Sequence, residues 1–246
     1  MVNEMNGGKR FVEVDALRGI AVIMMVAYHA LFDLDFFSVT EIDMSSPPLW
    51  LAGRLTAFLF IFIAGLSLSL SHSRRILEED ASFSAYLNRG LRIFGYGLII
   101  TLATWIYPGD GVILFGVLHF IGAGIILSYP FMGKPWLALM AASLSIAAGM
   151  ILSGFRADYP WLLWAGLRPH SFYSLDYFPL FPWLGVMLTG MSAGDVLYRG
   201  YRRRFDLDTG ALPLSKPALL GRNSLKIYFI HQPVIIMIIL VLNSFR

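Results

Sequence analysis

Four ionisable residues near the N-terminus, Asp15, Arg18, His29 and Asp33, are spaced so that a single α-helix carries them on one face. With His29 as origin and about 100° per residue, Asp33 falls about 40° away, Arg18 about 20° and Asp15 about 40°. Arg18 and His29 are then roughly 16 Å apart along the axis. The residues between them are almost all apolar, so these charges lie in a helix suited to hydrocarbon. Ionisable groups there are costly and face a bundle interior or a water-filled cavity. Four on one face imply a polar path through the protein. The chemistry they suit is proton transfer, with an imidazole that titrates near neutral pH and a carboxylate one turn on to orient it. His29 and Asp33 are therefore the candidate catalytic pair.

Other groups reach the same depth if His29 lies in the outer half of a membrane. Arg54 begins the second apolar stretch, His119 lies about two turns into the fourth, and Asp176 precedes the sixth. Arg54 suits a developing oxyanion or a substrate carboxylate. His119 and Asp176 join it as candidate substrate-binding residues. His231, in Ile230-His-Gln-Pro233, reads as a group that satisfies backbone carbonyls freed by Pro233. His72 and His170 fall in segments read as solvated loops. Cysteine is absent, which excludes a thiol nucleophile and a disulfide framework.

The elements that position these residues follow from composition. Of the 246 residues, 57% are hydrophobic and only 14% charged, too apolar for a soluble fold of this length. Mean hydropathy is +0.66. Apolar stretches long enough to span occur at 14–37, 49–71, 85–107, 112–131, 135–153, 177–199 and 222–243. The expected architecture is an all-α polytopic membrane bundle of about seven spans, forming one domain over 1–246. Segment 154–176, rich in aromatics and proline, reads as interfacial or re-entrant. The runs around Gly65, Gly95, Gly97, Gly122 and Gly124 read as close helix contacts. Residues 200–220 read as a basic loop.

Basic residues set the orientation. Lys9, Arg10, Arg74, Arg75, Arg199 and Arg202 to Arg204 fall on one side, whereas Arg54, Arg156, Arg168 and Arg246 fall on the other. The rule that positive loops stay inside places the N-terminus in the cytoplasm and the C-terminus outside, in a plasma membrane. The charge pattern points to membrane topology and not to nucleic acid.

The stretch Val14-Asp-Ala-Leu-Arg18 through Tyr28-His29 to Asp33 resembles the opening of the transmembrane acyltransferases. The nearest resemblance is to the prokaryotic branch of the heparan-α-glucosaminide N-acetyltransferase catalytic-domain family. Arg54 with Phe60-Ile-Phe-Ile-Ala-Gly65, Phe115-Gly-Val-Leu-His119, Asp176 to Gly185, and Gly221 to Pro233 extend it in order along the chain. The resemblance implies an enzyme that takes an acyl group, acetyl above all, from cytoplasmic acyl-CoA and delivers it to an amine or hydroxyl of a sugar or glycan on the outer side. It implies His29 as the catalytic residue, and residues 38–48, the loop where lysosomal members place theirs, contain no histidine. With a CoA donor, Arg18, Arg89 and Arg92 become the candidate donor-binding residues. Expected partners are bilayer lipid, acyl-CoA and a glycan acceptor, with a homodimer left open and no metal or haem. The same charged stripe also suits a proton-coupled transporter or flippase of a small polar or lipid-linked substrate. Stabilisation by CoA would favour the enzyme, and flux without CoA the transporter.

Overall fold

Proline marks helix starts in this chain: Pro47 opens one helix and Pro135 another, where a missing N–H costs nothing. The computed structural model describes residues 10–207 and 213–244; Lys9 and Arg246, used in the charge argument, lie outside them. Eight α-helices are described: α1 (Val12–Phe36), α2 (Pro47–Leu77), α3 (Phe83–Ile106), α4 (Val117–Leu127), α5 (Pro135–Ser153), α6 (Leu180–Leu197), α7 (Ser215–Arg222) and α8 (Ser224–Ser244). Among the described residues there are no strands, only isolated bridges between Phe115 and Tyr177 and between Arg156 and Arg168.

Five helical segments are long and apolar enough to cross a membrane: α1, α2, α5, α8, and α6 with its terminal 3-10 turn. Two expected spans differ. Helix α3 has 24 residues but carries Arg89 and Arg92 in its first half, which lowers its apolarity. Helix α4 has only 11 residues, about 16 Å of rise against a hydrocarbon core of about 30 Å. The apolar run 112–131 does not become one helix because its start is held extended. Leu175 N–H donates to the Gly111 carbonyl, Phe178 N–H donates to the Phe115 carbonyl, and Ser174 donates to the Val112 carbonyl. Segment 154–176 forms a 3-10 turn over Pro160–Ala165 and the Arg156–Arg168 bridge.

The chain divides into two compact units: Met1–Ile63 with Leu207–Arg246, and Ala64–Asp206. In the first unit α1 packs on α7 through two glycines. A Cβ on Gly19 would stand 1.9 Å from the Pro217 carbonyl oxygen, and one on Gly221 would stand 1.8 Å from the Asp15 oxygen. Only backbone against backbone fits there, the small-residue contact used by membrane helices. Helix α7 begins within the stretch 200–220 read as a loop and runs two residues past it; the sequence does not mark it as a helix because its burial depends on this one crossing.

In the second unit α3 and α4 cross at Gly90 and Gly122, where a Cβ on either would lie 2.7 Å from the other's carbonyl oxygen. Helices α5 and α6 cross at Gly149 and Gly185, against Pro182 and Ala142. Gly65 meets the Met187 backbone and Gly124 the Met187 sulfur, as the sequence predicts for such residues. Gly95 is the exception and faces open space.

Candidate active site

The stripe on α1 acquires partners from the C-terminal helices. His29 Nδ1 lies 2.9 Å from the Met25 carbonyl oxygen one turn back. It also lies 3.4 Å from His231 Nε2 on α8, with ring centroids 5.0 Å apart. His231 Nδ1 in turn lies 2.8 Å from the Tyr228 carbonyl and 3.1 Å from that of Ile227. A carbonyl only accepts, so each Nδ1 carries the proton. His231 Nε2 is then an acceptor for the His29 Nδ1–H, which it shares with Met25. His29 Nε2 is left bare and has no hydrogen-bond partner among the described residues. A half-buried imidazole with an unused lone pair, its other nitrogen fixed, is built to receive a proton.

Asp33 does not orient His29. A helical side chain leans toward the N-terminus, so the His29 ring turns back to Met25 and away from Asp33 one turn ahead. Asp33, only 2% exposed, instead accepts two bonds from Gln232 Nε2, at 2.7 and 2.8 Å. The Gln232 amide nitrogen is thereby shared between both carboxylate oxygens, and Gln232 Oε1 is buried with no partner. His231 also departs from expectation. The carbonyl freed by Pro233 is that of Phe229, yet the ring bonds to Ile227 and Tyr228, which turns its other nitrogen toward α1. Sequence reasoning missed His231 and Gln232 as partners of the stripe, although both stand in the Ile-His-Gln-Pro motif.

At the other end of α1, buried Asp15 bridges two cations, Arg18 at 3.1 Å and Arg222 of α7 at 3.2 Å. Arg18 is thus braced within the protein. Arg54 on α2 is exposed and lies 5.5 Å above the Trp50 ring. It follows Gly53, where α1 and α2 approach so closely that a Cβ would meet the Tyr28 ring at 2.8 Å.

The second unit holds His119 and Asp176, and both cap α4. His119 is 1% exposed, between Phe94 and Phe115. Its Nδ1 accepts from the Gly116 N–H at 3.2 Å, the role a glutamate plays in a capping box. Its Nε2 lies 3.2 Å from Thr101 Oγ1, whose own hydrogen goes to the Ile113 carbonyl at 2.6 Å. Nε2 is therefore the donor, and neither nitrogen is left over. Asp176 Oδ2 accepts from the Val117 N–H at 2.9 Å, placing a carboxylate at the positive end of α4. Burial pushes its carboxyl up to about 6, and the Val117 bond works in the opposite direction.

Of the remaining candidates, Arg89 reaches Ser71 at 3.4 Å, and Arg92 is exposed one turn further along α3. His72 is not in a loop, because α2 continues to Leu77 with Arg74 paired to Glu78 behind it. Its Nδ1 meets the Tyr86 hydroxyl at 2.8 Å. Asp195 on α6, not singled out from sequence, accepts from Ser69 nearby. His170 is exposed and sits against Asp158, as expected for a loop residue.

No curated protein and no solved structure matches the chain. A family model does, described as heparan-alpha-glucosaminide N-acetyltransferase, catalytic, and it covers residues 10–233. That range runs from just before α1 to Pro233 in α8 and takes in His29, Asp33, His119, Asp176, His231 and Gln232. The chain accordingly belongs to the heparan-α-glucosaminide N-acetyltransferase catalytic family.

Proposed function

We propose that this protein is a membrane-embedded acyltransferase that moves an acyl group, acetyl above all, from cytoplasmic acyl-CoA to an amine or hydroxyl of a sugar or glycan at the outer side. The observation that carries this reading is a transferase-family chain in which His29 presents a bare Nε2. The acceptor gives its proton to Nε2 as its nitrogen or oxygen attacks the thioester carbonyl. The new C–N or C–O bond forms, the C–S bond breaks, and Nε2 returns the proton to the CoA thiolate. Arg54, exposed on α2, supplies a cation for the developing oxyanion or for a carboxylate on the acceptor.

The roles of the other groups shift with their contacts. Asp33 holds the Gln232 amide and so acts on α8 before it acts on His29. His119 and Asp176 hold the start of α4 instead of gripping the acceptor. Arg92, exposed on α3, and Arg89 beside it, which also reaches Ser71, are the guanidinium groups proposed for the donor's phosphates. About seven spans lie in a plasma membrane in this reading, and the basic-residue bias supports the N-terminus inside and the C-terminus outside.

Transfer from radiolabelled acetyl-CoA to an aminosugar acceptor in proteoliposomes tests the reading. His29→Ala is expected to lower turnover by about 100- to 10,000-fold, the usual contribution of a general base, with the melting temperature kept. Wild-type turnover in that variant would end the proposal.

A further inference from the structure

His231 stands where a carboxylate usually stands behind a catalytic histidine, yet it is a second imidazole on another helix. Its Nδ1 is anchored on the Tyr228 and Ile227 carbonyls, so its ring plane is set by α8 itself. Its Nε2 is thereby obliged to be an acceptor and is aimed at His29 Nδ1, 3.4 Å away. The two residues are 202 positions apart in sequence, so the contact is made by the packing of α8 on α1 and not by local geometry.

We propose that His231 is a positioning residue for the transfer reaction: its Nε2 accepts the Nδ1–H of His29 and supports the imidazolium that forms when His29 Nε2 takes the acceptor's proton. This inference rests on the acyltransferase reading above. The physical reason for a neutral partner is the solvent. In hydrocarbon a permanent anion behind His29 is expensive while the site is at rest. A neutral imidazole nitrogen makes no such demand, and it becomes a strong acceptor once His29 is charged. Together with the Met25 carbonyl it gives the single Nδ1–H two acceptors, leaving the ring no reason to turn. Asp33 could serve as the usual partner by type, but its carboxylate meets Gln232 on α8 and the His29 ring turns back to Met25, away from it.

The experiment compares wild type with His231→Phe, which keeps a ring but removes the acceptor, and His231→Gln, whose Oε1 can restore it. His231→Leu replaces the Phe variant if that protein fails to fold. Acetyl transfer is measured per folded protein, with kcat and the KM for acetyl-CoA obtained separately. The expected result is a loss of about 100-fold in kcat for Phe, at the low end of a base's contribution, with KM unchanged and kcat largely recovered in Gln. A merely structural role would lower the folded fraction and leave kcat per folded molecule intact in all variants. That result, in an active wild type, overturns the inference alone. A wild type that transfers no acyl group overturns the acyltransferase reading and this inference with it.

Discussion

His29 and His119 are both intramembrane-type histidines on apolar helices, and each touches backbone within its own helix. They differ in what remains when the hydrogen bonds are counted. The His119 ring gives Nδ1 to the Gly116 N–H and Nε2 to Thr101, in a site sealed by Phe94 and Phe115. The His29 ring turns only Nδ1 toward its neighbours, and its Nε2 is unengaged. The two rings accordingly carry their protons on opposite nitrogens. An ionisable residue in an apolar helix is thus not in itself a catalytic signal. The accounting of donors and acceptors separates a group that holds the fold from one that can still accept a proton.

The comparison can be broken by exchanging the outcomes expected at the two rings. His119→Leu keeps the bulk of the ring but strands the Gly116 N–H and removes the donor to the Thr101 hydroxyl oxygen. It should destabilise the protein by about 1–3 kcal/mol, seen as a lower melting temperature. Turnover per folded molecule should persist, and a selective loss of kcat at full stability would show that His119 does chemistry after all.

A smaller effect sharpens the same point at Asp176. Its carboxyl is raised to about 6, above its ordinary value of 3.8, mainly by burial. The folded protein therefore binds that proton more tightly than the unfolded chain does. This contribution to stability is present at low pH and is lost as pH rises from about 4 through 6. Asp176→Asn, which can still accept from the Val117 N–H, should flatten that part of the curve of melting temperature against pH. An unchanged curve would contradict the raised carboxyl of Asp176 and leave its bond to the Val117 N–H standing.

The stripe itself was legible because α1 is a single helix. Its 3.6-residue period places Asp15, Arg18, His29 and Asp33 on one face, and that face does meet partners, Arg222 at one end and His231 with Gln232 at the other. The partners themselves were not legible, since no local rule brings residue 231 to residue 29. The assignment of Asp33 to His29 failed for a directional reason: helical side chains lean backward, so the nearest carboxylate along the stripe was on the wrong side of the ring. Helix α4 illustrates a different limit. Its flanks are as apolar as its centre, and only distant pairing with residues 174–178 decides where the helix begins. Helix α7 was hidden because its burial depends on two glycine contacts with α1 and not on a hydrophobic period.

The most direct test of the contrast between the two rings is the nitrogen-15 spectrum of histidine-labelled protein in lipid bilayers, with the five histidines distinguished by single replacements. His29 should show a protonated Nδ1 and a bare Nε2, and His119 the reverse. A proton on His29 Nε2, or the same tautomer at both rings, would contradict the assignment of His29 as the group that receives the acceptor's proton.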